Sequence, residues 1–358
     1  SVLSGLLLPN ESKAGKISRT VFNSYTAEIF KSGPVSDMSD DIIYKTIKKY
    51  NNIVLARHIG PDPDAVASQI ALRDAIKLTF PKKNVYAVGV SVAKFKTYGV
   101  LDKIDETTFK EDALLIALDV PNISRIDGVD PNVFKEIFKI DHHPSDEVFG
   151  ECDWKDETSS STCQMIIELL LETGMKFDRK IAENLFMGVV SDSDRFLISY
   201  TTSKTFKLIA ELIDKSQIDF TKLYSNLYER PYSEIKFHGY LSDNLNITEN
   251  GFAYLVITPE ILKEYNVDSA TPSNMINDFS NIRGVYVWMF ATYDERNEIY
   301  KVNIRSKGPV INDTAAMYGG GGHKYASGAR IRDKEEINKL IKSLDEECIK
   351  YKESLLSD

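Results

Sequence analysis

Ile53-Val54-Leu55-Ala56-Arg57-His58-Ile59-Gly60-Pro61-Asp62-Pro63-Asp64 is the stretch that decides how this chain of 358 residues folds. An apolar, strand-like run passes directly into a turn stiffened by one glycine and two prolines, and a helix-length amphipathic segment, Ala65 to Thr79, follows. A buried strand that enters a helix through a short turn is the repeating unit of a parallel sheet. Ligands of such sheets bind outside the carboxyl ends of the strands, which is where His58, Asp62 and Asp64 fall. Taken alone, Asp62 and Asp64 are equally well explained as turn residues and as caps for the helix beginning at Ala65.

Outward from this stretch the same alternation continues. Apolar runs at Asn84 to Val90, Ala113 to Asp119 and Ile137 to Asp141 read as further strands, and Ser160 to Glu172, Arg179 to Ser191 and Ser203 to Asp214 read as helices. The expected fold is therefore α/β: a parallel-sheet N-terminal domain over 38–215, its sheet covered by helices. A polar, aromatic connector over 216–233 carries the Arg230-Pro231 break. A smaller α/β domain over 234–358 follows, with strands at Phe252 to Thr258, Gly284 to Tyr293 and Tyr300 to Arg305 and a last helix from Lys334 to Leu356. A cleft between the two domains is expected. Residues 1–37, punctuated by Gly, Ser, Pro and Asn, read as a leader or extension without an assigned role, and Met38 opens the regular pattern.

Composition narrows the function. With 44 Lys and Arg against 53 Asp and Glu the formal net charge is −9, which argues against a protein that coats long DNA or RNA through broad basic surfaces. Short or small anionic substrates stay open, because a few local groups or metal ions can neutralise them. The three cysteines, Cys152, Cys163 and Cys348, form no Cys-x-x-Cys pair and indicate neither a disulfide framework nor a zinc knuckle. No apolar run approaches the roughly 18 residues of a membrane span. A soluble protein of the reducing cytoplasm, without membrane partners, is expected.

Chemistry concentrates at strand and helix ends. Besides the first segment, the run Ala113 to Leu118 delivers Asp119, Ile140 leads into Asp141-His142-His143, and the apolar helix ending Gly188-Val189-Val190 delivers Ser191-Asp192-Ser193-Asp194-Arg195. A carboxylate at the end of a buried run must be paired, solvated or bound to metal, and acids at a helix C-terminus oppose its dipole. Four segments that bring Asp or His to one sheet edge point to a metal centre. Oxygen and imidazole donors without thiolates suit Mn²⁺ or another borderline divalent ion. Two such ions, about 3.5–4 Å apart, would activate a water and clamp a phosphoryl oxygen, so hydrolysis at phosphorus is the implied reaction.

In this order, His58-x3-Asp62-x-Asp64, Asp119, Asp141-His142-His143 and Asp192 resemble the four motifs of the DHH phosphoesterase superfamily. Gly319-Gly320-Gly321-Gly322-His323-Lys324 resembles the signature of its C-terminal DHH-associated domain. The resemblance covers about residues 38 to 332, and length and domain order are similar to the subfamily of short-oligonucleotide hydrolases and pAp phosphatases. It implies one divalent ion on His58, Asp62 and Asp119 and a second on Asp64, Asp119, His142 and Asp192. Asp119 would be the bridge and, with His142 and His143, would form the catalytic group. Asp141 would orient a ligand, and His143 would face the scissile phosphate. Family members often carry Gly or a small residue at the position of Asp194, which leaves the part played by Arg195 open.

For the C-terminal domain the resemblance implies that Arg305, Ser306, Gly321, Gly322 and His323 contact substrate. The residues agree: a glycine run lets backbone N–H groups approach an anion, and Arg offers a planar fork for phosphate. Tyr224, Tyr228 and Tyr232 could stack on bases, but at helical spacing they are better read as packing residues. His238 reads as a packing or surface residue. The expected activity is Mn²⁺-dependent hydrolysis of short oligonucleotides, including pApA, to mononucleotides, together with dephosphorylation of 3′-phosphoadenosine 5′-phosphate. A cyclic di-AMP phosphodiesterase would use the same catalytic residues, and a silent nucleotide-binding sensor would keep the fold without turnover. A homodimer is compatible with each reading.

Overall fold

The computed structural model describes residues 38–104, 112–144, 147–150 and 152–357; the expected leader, 1–37, lies outside them. The chain divides into two compact units with the boundary between Tyr228 and Glu229.

The first unit is built on a five-stranded, all-parallel sheet. Its strands are β1 (Asn52–Arg57), β2 (Asn84–Ala87), β3 (Ala113–Leu118), β4 (Glu136–Asp141) and β5 (Cys152–Lys155), in the order β2-β1-β3-β4-β5. Ile53 to Ala56 and Leu114 to Leu118 are fully buried, as the unbroken apolar runs require of strands covered on both faces. Helices α1 (Met38–Lys49), α2 (Pro63–Thr79), α3 (Thr162–Thr173) and α4 (Arg179–Asp192) pack on one face. There Ile53, Leu55, Leu114, Ile116 and Leu118 meet Ile70, Ile166, Leu185 and Val189. Each such aliphatic side chain contributes about 1.5–3 kcal/mol by leaving water. The other face is a departure from a sheet covered by helices. Val54, Ala56, Leu115 and Ala117 lie instead under Val88, Val120, Ile126 and Phe134 from connecting segments. The chain between Asp119 and Lys135 holds only short 3₁₀ turns, Ile123–Arg125 and Pro131–Val133, and is too irregular for a helix.

Helices α5 (Ser203–Ser216) and α6 (Phe220–Tyr228) complete this unit. Much of the segment expected as a connector is thus helical, and its Tyr224 ring packs edge-on against Phe186. Predicted and observed ends differ by a residue or two at most elements. Helix α2 starts at Pro63 because Pro is tolerated in the first turn and Asp62 Oδ1 accepts the Ala65 N–H at 3.0 Å.

The second unit opens with α7 (Tyr232–Asn244) and carries a six-stranded mixed sheet. Its strands are β6 (Asn246–Ile247), β7 (Phe252–Ile257), β8 (Val287–Asp294), β9 (Ile299–Ser306), β10 (Gly321–His323) and β11 (Ala326–Ile331), ordered β10-β11-β9-β8-β7-β6. One face packs on α10 (Asn312–Met317) and α11 (Lys334–Ser357) through Met289, Ile304, Ile331, Ile337 and Leu344. The other packs Trp288 and Phe290 against α7, α8 (Pro259–Glu264) and α9 (Thr271–Met275). Its glycine run is not a free loop: Gly321 to His323 pair antiparallel with Ala326 to Gly328 as an edge strand. Gly322, at φ +136°, could not be another residue, since a Cβ would stand 2.6 Å from the Ala326 carbonyl oxygen.

Candidate metal centre

Sheet order dictates where the expected ligands go. The chain leaves β1 for β2 on one side and returns to β3 on the other, so a crevice forms at the carboxyl ends of β1 and β3. His58 directly follows β1, Asp119 follows β3, and Asp141 closes β4 beside it. Asp192 reaches the same place as the last residue of α4.

Asp119 is the centre, with its side chain 1% exposed. His58 Nε2 lies 3.5 Å from its Oδ2, and His142 Nε2 and His143 Nδ1 lie 3.6 and 3.4 Å from its Oδ1. His58 Nε2 also stands 3.8 Å from Asp62 Oδ2, and His142 Nε2 is 3.3 Å from Asp192 Oδ2. Three overlapping groups have the spacing to hold metal: His58, Asp62 and Asp119; Asp64, His142 and Asp192; and Asp119, His142 and His143. The backbone of Asp119 is itself unusual, at φ +60°. Such a conformation costs a non-glycine residue stability and is seen where function demands it, with Asp and Asn the residues best able to adopt it.

Asp64 is held differently. Its Oδ2 accepts the Thr162 N–H at 2.8 Å and its Oδ1 the Cys163 N–H at 2.9 Å, so the first turn of α3 grips the carboxylate. Thr162 Oγ1 donates to Asp119 Oδ1 at 3.0 Å. Sequence reasoning passed over Thr162; its signal was the Ser161 cap before an apolar helix. Two buried ion pairs also escaped it. Arg57 Nη1 binds Asp127 at 2.8 Å and the His58 carbonyl at 3.2 Å, which fixes the end of β1. Lys139 lies 3.4 Å from Asp141, both buried. Asp141 Oδ1 in turn accepts from the His143 ring at 2.8 Å and from its backbone N–H at 3.2 Å.

The centre carries too much negative charge for its burial. Burial, followed by the charges of Asp119 and Asp62, pushes the Asp64 carboxyl up to about 8, and burial with Asp64 and Asp119 nearby drives Asp192 well upward. Burial disfavours a charged His58, but the carboxylates of Asp119 and Asp62 beside it prevail and raise it to about 10. Burial lowers His142. Asp119 Oδ2 and His142 Nε2 are buried without a hydrogen-bond partner among the described residues. Such orphans are costly, and a cation between these groups would satisfy them and relieve the repulsion. The donor set therefore fits a divalent metal.

Near the end of α4, Asp194, Arg195 and Phe196 all have positive φ. Arg195 donates to Asp194 Oδ1 at 2.8 and 3.2 Å and lies over the Tyr228 ring at 5.3 Å. In the second unit, Arg305 donates to Asn277 Oδ1 at 3.0 Å, and His323 is exposed on β10. The buried Ser306 hydroxyl donates to the Pro309 carbonyl at 2.6 Å and accepts the Gly308 N–H at 3.1 Å. That hydroxyl is spent closing a turn behind Arg305. Tyr232 is exposed, and His238 stacks on Phe279 with 5.1 Å between ring centres.

Fold and site together define a metal-dependent phosphoesterase. Residues 52–189 match the DHH family, N-terminal domain, and residues 249–350 match the DHHA1 domain. The chain is 37% identical to the bifunctional oligoribonuclease and PAP phosphatase NrnA of Bacillus subtilis, over 86% of this chain and 97% of that protein. It is 28% identical to the protein of the same name from Thermus thermophilus, over 78% of this chain and 84% of the relative. The chain belongs to the DHH family. Among solved structures, an exopolyphosphatase-related protein from Bacteroides fragilis shares the fold, with a TM-score of 0.79 and 22% identity over 91% of this chain and all of that one. No helix among the described residues is long and apolar enough to cross a membrane.

Proposed function

We propose that this chain hydrolyses short oligonucleotides, pApA among them, to mononucleotides and removes the 3′-phosphate of 3′-phosphoadenosine 5′-phosphate. The observation that carries the reading is Asp119, whose two oxygens are shared by imidazoles from three directions. The identity to the oligoribonuclease and PAP phosphatase of B. subtilis over nearly its whole length supports it. Two Mn²⁺ ions are the proposed cofactors: His58, Asp62 and Asp119 would hold one, and Asp64, Asp119, His142 and Asp192 the other. When bound they supply a water activated at neutral pH and charge neutralisation at the phosphoryl oxygens.

The protein's own groups do the rest. The first turn of α3 fixes Asp64 in its buried position. Asp141 orients His143 through its ring nitrogen, and although burial opposes it, this bond raises the His143 pKa. A protonated His143 can donate its other N–H to a phosphoryl oxygen and stabilise charge as it develops. In the second unit Arg305, Gly321, Gly322 and His323 are the proposed substrate contacts, with Ser306 shaping the turn behind Arg305. A cytoplasmic location and short substrates accord with the acidic net charge of −9.

The test is Mn²⁺-dependent hydrolysis of pApA, a five-nucleotide RNA, cyclic di-AMP and 3′-phosphoadenosine 5′-phosphate in parallel. The reading expects pApA and short RNA to be the best substrates. Fastest cleavage of cyclic di-AMP would replace it with the signalling reading, and absence of metal-dependent turnover on all of these would overturn it.

A further inference from the structure

The second unit contains a pocket that shares no residue with the substrate contacts proposed above. It has a volume of about 460 Å³ and is lined on one side by Ser273, on the sheet by Thr292, Lys301, Asn303 and Arg330, and on its floor by glycines including Gly328. Strand register explains how these residues meet. Thr292, Lys301 and Arg330 are direct neighbours across β8, β9 and β11, and the next rung on the same face is Phe290, Asn303 and Gly328. Arg305 lies one rung further, so Lys301 is removed from it by about 13 Å along the strand.

The lining specifies a ligand class. Lys301 and Arg330 are its charged side chains, and no carboxylate is among the lining residues. Arg330 is exposed and makes no ion pair among the described residues. Asp294, two residues beyond Thr292 on the same face of β8, pairs with Lys301 at 2.7 Å, which leaves Arg330 as the pocket's uncompensated charge, and Asp268 Oδ1 accepts the backbone N–H groups of Ala270 and Thr271 at 2.9 Å. Thr292 is 1% exposed, yet its Oγ1 has no hydrogen-bond partner among the described residues. A buried hydroxyl left unmatched costs about 1–3 kcal/mol, which a polar ligand would recover. Ser273 donates to Asn303 Oδ1 at 3.1 Å, which turns the Asn303 amide nitrogen into an available donor. Gly320 and Gly328 lack side chains because β9 and α10 approach too closely for a Cβ, and a flat floor results.

From this lining we infer that the pocket binds a nucleoside monophosphate, with the phosphate on the Lys301 and Arg330 rung and the nucleoside over the glycine floor beside Asn303 and Ser273. The volume lies within the roughly 300–1,000 Å³ of small-ligand sites and exceeds what inorganic phosphate fills. Binding here is independent of the catalytic reading, since none of the metal-centre residues takes part.

The experiment is calorimetric titration of AMP, inorganic phosphate and adenosine into the full chain in EDTA. AMP is expected to bind, and phosphate and adenosine each at least tenfold more weakly. Arg330→Gln and Thr292→Val should each weaken AMP at least tenfold, while Lys350→Gln, on α11 over the opposite face of the sheet, stays within twofold of the parent. Thr292→Val should not lower the Tm, because it removes an unmatched hydroxyl at nearly constant volume. Four outcomes would overturn the assignment: no AMP binding, affinity unchanged in both pocket variants, loss of binding in Lys350→Gln, or binding of a dinucleotide but not of AMP.

Discussion

His58 and His142 stand on opposite oxygens of one carboxylate: His58 Nε2 is 3.5 Å from Asp119 Oδ2, and His142 Nε2 is 3.6 Å from Asp119 Oδ1. A group shared in this way cannot be lost without affecting both halves of the centre. Asp119→Asn tests this better than Asp119→Ala, because Asn tolerates the positive φ of this position and leaves the backbone undisturbed. The variant is expected to keep its fold by circular dichroism, to lose pApA hydrolysis by about three orders of magnitude or more, and to bind Mn²⁺ far more weakly in calorimetry. Retained turnover would show that the bridging assignment is mistaken.

Metal binding should release protons. In the metal-free protein Asp64 titrates near 8 instead of in the ordinary carboxyl range, and His58 near 10 instead of near 6.5. Both shifts mean that the folded chain holds more protons than the unfolded one between about pH 6.5 and 8, so stability in EDTA falls as pH rises through that window, by about 1.4 kcal/mol per pH unit for each such proton. Added Mn²⁺ displaces those protons and should reverse the trend. Thermal melts at pH 6.5 and 8, with EDTA and with Mn²⁺, are the check. A Tm in EDTA that rises with pH would contradict the proposed burial of these groups.

The legibility of the site in the sequence was uneven for physical reasons. His58, Asp119 and the Asp141-His142-His143 run could be placed because each terminates an apolar strand, and period and punctuation are local signals. Thr162, whose hydroxyl reaches Asp119 at 3.0 Å, belongs to a helix 43 positions away in the chain, and nothing local marks that meeting. The Arg57 to Asp127 and Lys139 to Asp141 pairs were hidden likewise, since a charge in a strand reads as exposed until its partner is known. In the second unit composition marks the glycine run but not its pairing with Ala326 to Gly328, which makes it an edge strand. The aromatic segment reads as a connector because the buried face of its helix is short, with Leu223 its buried residue, although its tyrosines at helical spacing do pack, Tyr224 against Phe186.

The proposed part of Asp141 is to act through His143 and not on substrate. Asp141→Asn keeps the shape but removes the charge that lies 3.4 Å from the buried Lys139 and accepts from His143 at 2.8 Å. Turnover should fall about 10–100-fold, and the alkaline limb of the rate profile should move to lower pH as His143 loses the partner that raises its pKa. Stability should drop as well, by about 3 kcal/mol, because Lys139 is left buried without its counter-charge. A lower Tm with an unchanged pH profile would confine Asp141 to a structural part.

Helices α2, α3 and α4 meet at Gly188, where a Cβ would overlap Cys163 Sγ and stand 3.2 Å from the Ala67 Cβ. Cys163 also supplies the backbone N–H that holds Asp64 Oδ1 at 2.9 Å, so pressure at this crossing is transmitted directly to a proposed metal ligand. Gly188→Ala should cost about 1–3 kcal/mol by overpacking and should reduce Mn²⁺ affinity along with stability. Cys163→Ala in the same chain removes the overlapping sulfur while its backbone N–H remains, and the double variant should recover part of both losses, as contacting residues do when their effects are not additive. Urea melts and Mn²⁺ calorimetry on the two single variants and the double variant measure the coupling. Simple additivity would mean that α3 and α4 do not meet at Gly188 as described.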